Sequence, residues 1–238
     1  MHSYYPIFLN LEGKRSVVIG GGPVAEGKIT KLSESGSQIT VISPEVTPAI
    51  RRAARQGSAQ WLEREYQPGD LDGAFIAIAA TNERSVNQQI FEEAEQRGVL
   101  LNVVDDPVSC SFIAPSIIER GTVTLAISTG GASPALARKL RESLTDSPEL
   151  KWADLADVVI QARNHLKANK VSVDPQRWQC CLTPELLSLV EVGRDADALE
   201  SLLAGLTGEY SAELCDSVGH CQPKGCTQKV KAPAAVLK

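Results

Sequence analysis

Short apolar runs alternate with longer amphipathic stretches through the first hundred residues. Ser16 to Ile19 reads as a buried strand. After it, Ala25, Ile29 and Leu32 recur on one face of a helix, and Gly36 is placed to end it. Ser37 to Ser43 (SQITVIS) is a second strand, rich in β-branched residues. Thr47 and Pro48 have the chemistry of an N-cap and a first helical residue, and Gly57 closes that helix. A shorter strand is expected around Gln60 to Tyr66. Ala74 to Ala80 (AFIAIAA) is almost wholly apolar, as a central parallel strand covered on both faces must be. Ser85 and Gln88 form a capping-box pair for a helix turning Val86, Ile90 and Ala94 inward, closed by Gly98. Leu100 to Val104 (LLNVV) supplies another buried strand. Repeated β–α units of this size predict an α/β fold built on a doubly wound parallel sheet.

The pattern changes after Asp106. Ser111 to Ile118 (SFIAPSII) is apolar but interrupted by Pro115, and Thr122 to Ser128 (TVTLAIS) alternates as a strand with one buried face. Ser133 and Pro134 then open a helix on which Leu136, Leu140 and Leu144 stack. From Pro148 onward the chain reads as a small all-α region, with helices at Glu149 to Ala168, Pro184 to Val192 and Ala196 to Gly205. The expected divisions are 1–113, 114–147, 148–210, and a polar Cys-containing tail at 211–238, expected to be flexible.

The first strand runs into VVIGGGPVAEGK. Gly20, Gly22 and Ala25 fit G-x-G-x-x-A, the alanine-ended dinucleotide fingerprint of Rossmann-like domains. Gly20 permits the tight strand-to-helix turn. Gly22 lets main chain approach a pyrophosphate. Ala25 allows close packing of helix on strand. The free N–H groups at the helix start, in the turn that Pro23 and Val24 open, then face the phosphates. Ligands of such sheets sit beyond the carboxyl ends of the strands. That rule gathers Gly20–Val24, Ser43, Pro44 and Glu45, Ala80, Thr81 and Asn82, and Asp105–Asp106 on one rim. Glu45 stands a little late for the acidic residue that holds the adenosine ribose. No arginine follows at once to take a 2′-phosphate, so NAD is favoured over NADP.

Composition narrows the function classes. The chain has 238 residues, 43% of them hydrophobic, and a net charge of −5. That balance argues against nucleic-acid binding, which needs a basic surface. No apolar run is long enough to span a bilayer, and MHSYYPIFLNLEGK does not read as a signal peptide, so a cytoplasmic setting is expected. Six cysteines in that setting read as thiols. Three of them, Cys215, Cys221 and Cys226, flank His220 in the tail. Thiolates and imidazole can bind zinc or iron, with vicinal Cys180 and Cys181 as a further source of a ligand, but the C-x5-C and C-x4-C spacings match no standard site. A plain polar tail with exposed thiols is the simpler reading.

Taken in order, VVIGGGPVAEGK, AIAATNERSVNQQI, NVVDDP, SFIAPSII and AISTGGASPALARKLR resemble the precorrin-2 dehydrogenase family, including the N-terminal part of siroheme synthases. The resemblance is strong over residues 3 to 145. It implies NAD-dependent dehydrogenation of precorrin-2 to sirohydrochlorin in a homodimer whose central segment, here 114–147, makes the subunit contact. In some members it also implies insertion of ferrous iron to give siroheme. The match is to the stand-alone form, without a methyltransferase module. Asp105 matches the aspartate of the family's NVVD motif, a residue implicated as proton acceptor. The substrate carries eight carboxylates, so Ser128, Thr129, Gly130, Gly131 and Arg138 are candidate partners for them: a glycine turn with hydroxyl donors, then a basic helix face. A reading of another class, an NAD(H)-sensing module without turnover, predicts nucleotide binding and no conversion.

Overall fold

The computed structural model describes residues 4–208, which fall into two compact units. The first comprises the chain up to Pro115 together with Ser128–Pro134, and the second comprises Ser116–Ile127 and the residues from Ala135 onward.

The first unit is a five-stranded parallel sheet with helices between the strands. Its elements are β1 (Arg15–Ile19), α1 (Pro23–Glu34), β2 (Gln38–Ile42), α2 (Pro48–Arg55), β3 (Gln60–Leu62), β4 (Ile76–Ala79), α3 (Arg84–Arg97) and β5 (Leu100–Val103). The spatial order is β3-β2-β1-β4-β5. The order reverses between β1 and β4, where Val17 pairs with Thr40 on one side and Ala77 on the other. Successive strand residues point to opposite faces. Val18, Ile39 and Val41 therefore join Ala25, Ile29, Leu32 and Ile50 in one core. Val17, Ile19 and Ile42 join Ile90 and Ala94 in the other. This two-sided burial is why β4 reads as a continuous apolar run.

Most of the expected punctuation is present. The Thr47 hydroxyl accepts the Ile50 amide, with Pro48 in the first turn of α2. Gly98 caps α3 with a left-handed φ of 68°. The Ser85–Gln88 capping box is a correction. Glu83 is the N-cap of α3, without a side-chain cap, and Ser85 lies inside the helix. The loop is instead held by Thr81: its hydroxyl accepts the Glu83 amide and its carbonyl accepts the Asn87 side-chain amide. The strand expected through Tyr66 stops at Leu62. Beyond it, Arg64 and Asp70 form an ion pair, and a loop wraps the buried carboxylate of Glu93.

The second unit starts with a hairpin, β6 (Ser116–Arg120) and β7 (Val123–Ile127), paired antiparallel. Gly121 carries the left-handed turn, at φ 57°. Helices α4 (Pro134–Thr145), α5 (Ala156–Ala168), α6 (Pro175–Cys181), α7 (Pro184–Glu191) and α8 (Asp195–Thr207) follow, with a 3-10 stretch at Pro148–Leu155 before α5. The long helix expected from Glu149 is thus α-helical only from Ala156. The three-residue spacing of Leu150 and Ala153 puts both against Ile118 of the hairpin, which suits the tighter winding. Arg120 and Asp154 tie the same two elements by an ion pair at 2.6 Å. Helix α6 was not anticipated, although Asp174 capping the Gln176 amide ahead of Pro175 carries the usual start signal.

Candidate functional site

The carboxyl rim of the first unit is held together by main-chain bonds between successive loops. Gly20 donates to the Ile42 carbonyl and Thr47 donates to the Gly21 carbonyl, both at 2.9 Å. Ala80 donates to the Ile19 carbonyl at 2.7 Å, and Val104 donates to the Ala79 carbonyl at 2.9 Å. The loops after β1, β2, β4 and β5 are therefore one connected surface, and the rim residues expected from the sequence meet there.

The three glycines of the opening turn do different work. Gly20 has φ 111°, and a Cβ there would lie 2.8 Å from the carbonyl carbon of Ala80 and closer still to its oxygen. At Gly21 a Cβ would strike the Glu45 carbonyl oxygen and lie 2.8 Å from Val46 Cγ1. Gly22 differs, because a Cβ there would meet nothing within 4 Å. Its φ of −80° also suits any residue. Helix α1 begins at this open face with no side-chain cap. Pro23 has no N–H to offer, and the first internal bond is Glu26 to the Gly22 carbonyl, so the Val24 and Ala25 amides lie in the uncapped first turn. Space over Gly22 beside uncapped amides at the positive end of a helix fits the diphosphate of a dinucleotide. Gly21 was not singled out in the sequence. Its signal was the third consecutive glycine, which the fingerprint leaves as a free position.

At the end of β2, Ser43 is buried and its hydroxyl donates to the Glu45 carbonyl at 2.6 Å. The Ser43 carbonyl accepts the Trp61 indole N–H at 2.9 Å. This fixes the bend that carries Pro44 and Glu45, both exposed. Ser43 thus shapes the loop with its hydroxyl proton committed inward, while Glu45 is presented outward.

Asp105 is exposed and has φ 61°, one of two non-glycine residues with positive φ among the described residues. Among those residues it has no hydrogen-bond or ion-pair partner. Asp106 differs: its carboxylate accepts the Ser109 hydroxyl at 2.8 Å and its carbonyl accepts the Ser109 amide at 3.3 Å. The two adjacent aspartates are separated by role, with Asp106 building the turn and Asp105 projecting from it. Strands lie about 4.8 Å apart, so the β5 rim stands two spacings, roughly 10 Å, from that of β1.

The Thr129–Gly131 turn is closed on itself. The Ser128 hydroxyl accepts the Gly130 amide, and the Thr129 side chain and carbonyl accept the Ser133 and Ala132 amides, all at 3.1 Å. Gly130 and Gly131 have φ 62° and 84°. The nest is formed, yet three of its amides already have partners. Arg138 belongs to the second unit and pairs with Glu142 at 2.8 Å. Cys215, His220, Cys221 and Cys226 lie outside the described residues. Among the described residues no cluster of three or more His, Cys, Asp or Glu could hold a metal. No described helix is long and apolar enough to cross a membrane.

Comparison with known proteins agrees with this architecture. A family model described as NAD(P)-binding matches residues 7–116, and one described as the central region of sirohaem biosynthesis proteins matches residues 120–147. A siroheme synthase of Photorhabdus laumondii is 38% identical over 84% of this chain and 43% of its own length. One of Pseudomonas paraeruginosa is 35% identical over 85% of this chain and 44% of its own. Residues 7–116 and 120–147 of this chain thus carry, in order, an NAD(P)-binding region and the central region of sirohaem biosynthesis proteins. The chain spans less than half the length of these curated relatives. The solved structure of SirC, a precorrin-2 dehydrogenase, superposes with a TM-score of 0.68, covering 84% of this chain and 98% of that one at 24% identity, which establishes the common fold.

Proposed function

We propose that the chain is an NAD-dependent dehydrogenase converting precorrin-2 to sirohydrochlorin, acting as a homodimer in the cytoplasm. The observation that carries this reading is the pairing on one rim of an open main-chain cradle at Gly22 with a solvent-facing, unpartnered carboxylate at Asp105. The family relationship supplies the substrate.

The first turn of α1 holds the diphosphate through the Val24 and Ala25 amides. Glu45 takes the ribose hydroxyls of the adenosine half, and its charge disfavours a 2′-phosphate there. Ala80 and Thr81 line the crevice where the strand order reverses. A nicotinamide held on this rim would supply the hydride acceptor for oxidation of the reduced macrocycle. Asp105 accepts the accompanying proton on a carboxylate oxygen, a role that needs a free, solvent-connected carboxylate within reach of the substrate. The Ser128–Gly131 turn and Arg138 serve the substrate's carboxylates. The exposed Leu136, Leu140 and Leu144 of α4 serve the subunit contact.

The test is anaerobic incubation of the purified chain with precorrin-2 and NAD. Sirohydrochlorin and NADH are expected in equal amounts, with turnover lost in Asp105→Asn and nucleotide binding retained. Nucleotide binding without any conversion would favour the sensing module. Ferrous iron added afterwards, with siroheme formation above the spontaneous rate, would extend the activity to iron insertion with iron as a substrate.

A further inference from the structure

Asp105 is held in a backbone conformation that disfavours it. The left-handed region is unfavourable for non-glycine residues, though aspartate and asparagine tolerate it best. Such an outlier persists only where its surroundings over-determine it. The surroundings here converge on one side chain. The half-buried Cys110 sulfur accepts the Val103 amide at 3.1 Å and the Asn102 side-chain amide at 3.5 Å. Its hydrogen is shared between the carbonyl oxygens of Val103 and Asp106, both at 3.2 Å. Cys110 thus spans the turn from the last residue of β5 to the residue after Asp105. Burial, with Asp106 close by, pushes the thiol up from its ordinary range, so it remains a protonated donor at neutral pH.

We propose that Cys110 is the positioning residue of the reaction: its thiol bridges Val103 and Asp106 and thereby fixes the left-handed turn that projects the Asp105 carboxylate. This rests on the reading of Asp105 as proton acceptor. Cys110 touches no reacting atom, and its contribution is made through Asp105 alone. The neighbouring hydroxyls do not substitute for it. Ser111 bonds the main chain of Leu101, and Ser109 bonds the Asp106 carboxylate.

Steady-state turnover of precorrin-2 with NAD by the full chain tests this, with Cys110→Ala, Cys110→Ser and Asp105→Asn compared at several pH values. Cys110→Ala is expected to lower kcat about tenfold, below the roughly hundredfold that a full 1 Å misplacement of a catalytic group can bring. KM for NAD stays constant, and the acidic limb of the kcat profile moves. Cys110→Ser, whose hydroxyl can donate to the same carbonyls, is expected to restore kcat to within about threefold and return the pH profile. Unchanged kcat and pH profile in Cys110→Ala, with Asp105→Asn inactive, would overturn the positioning role and leave the proton acceptor standing. So would a loss in Cys110→Ala that follows a lowered thermal midpoint and weaker NAD binding, for that is a folding defect. Full turnover in Asp105→Asn would overturn both assignments.

Discussion

The Thr47 amide donates to the Gly21 carbonyl at 2.9 Å, so the residue that caps α2 also fastens the glycine turn leading into α1. The Thr47 hydroxyl accepts the Ile50 amide at the same time. One residue therefore joins two βα loops of the rim. Thr47→Ala keeps the amide and loses the cap, and a loss of about 1 kcal/mol is expected in chemical denaturation, with nucleotide affinity little changed.

The glycines predict a sharper contrast. Gly21→Ala places a methyl group against the Glu45 main chain, and a backbone neighbour can yield little. A destabilisation of roughly 1–3 kcal/mol or more is expected. Gly22→Val meets open space and an allowed φ, so thermal unfolding stays near the parent value while NAD affinity falls at least about tenfold, equivalent to about 1.4 kcal/mol. Titration calorimetry beside calorimetric unfolding separates the two variants. Undiminished affinity in Gly22→Val would remove the diphosphate from this turn.

Glu93 gives a prediction in pH. Its carboxylate accepts the Tyr66 hydroxyl, the Gly69 amide at 2.9 Å and the Leu71 amide at 3.2 Å, and it pairs with Arg97 at 2.8 Å. Burial pushes this carboxyl upward, but those donors together outweigh it and hold it below its ordinary value of 4.5. Stability from a depressed carboxylate is complete above the unfolded value and is lost as pH falls through the lower folded value. Removing the carboxylate with Glu93→Gln should therefore destabilise the first unit at pH 7, by roughly 1.5–3 kcal/mol for the charged hydrogen bonds weakened. The gap to the parent should close only below about pH 4.5. A gap unchanged at pH 3 would show that packing, and not charge, sets the effect.

The parallel sheet and the fingerprint turn were legible because each rests on local chemistry: apolar strands, caps and glycines. What was not legible depends on neighbours distant in sequence. Glu93 looks like a solvent-facing helix residue until the Tyr66–Leu71 loop closes over it. Gly21 occupies a free position in the fingerprint, and only the approach of the Glu45 carbonyl makes a side chain impossible there. Ser85 and Gln88 have capping spacing, but the chain enters α3 two residues earlier because Thr81 secures the loop. Asp105 stands out by its place at a strand end, and Asp106, just before Pro107, reads as a turn former; the Ser109 contacts add how it builds the turn.

The leucines of α4 stack at helical spacing, and they are 52%, 41% and 38% exposed at Leu136, Leu140 and Leu144. Such a stripe, exposed along a helix of twelve residues, is the surface the proposed homodimer would bury. With the homodimer reading, Leu140→Glu combined with Leu144→Glu should shift the sedimentation coefficient from dimer to monomer at micromolar protein, and NAD binding by the first unit should persist. A stable dimer in the double variant would move the subunit contact off this helix.

The proposed contact of Glu45 with the adenosine ribose gives a prediction for the choice of nucleotide. It is the outward acid at the bend fixed by Ser43 and Trp61, where the adenosine ribose of a dinucleotide reaches the end of β2. A 2′-phosphate brings close to two negative charges against this carboxylate, and like charges at such range repel. Glu45→Gln leaves the main-chain contact with Gly21 in place and removes the repulsion. The ratio of NADP to NAD dissociation constants should therefore fall about tenfold, through tighter NADP and slightly weaker NAD binding. Raised ionic strength should narrow the same ratio in the parent and leave it nearly constant in the variant, since only the parent's preference is electrostatic. A ratio indifferent to the substitution would assign cofactor choice to another part of the rim.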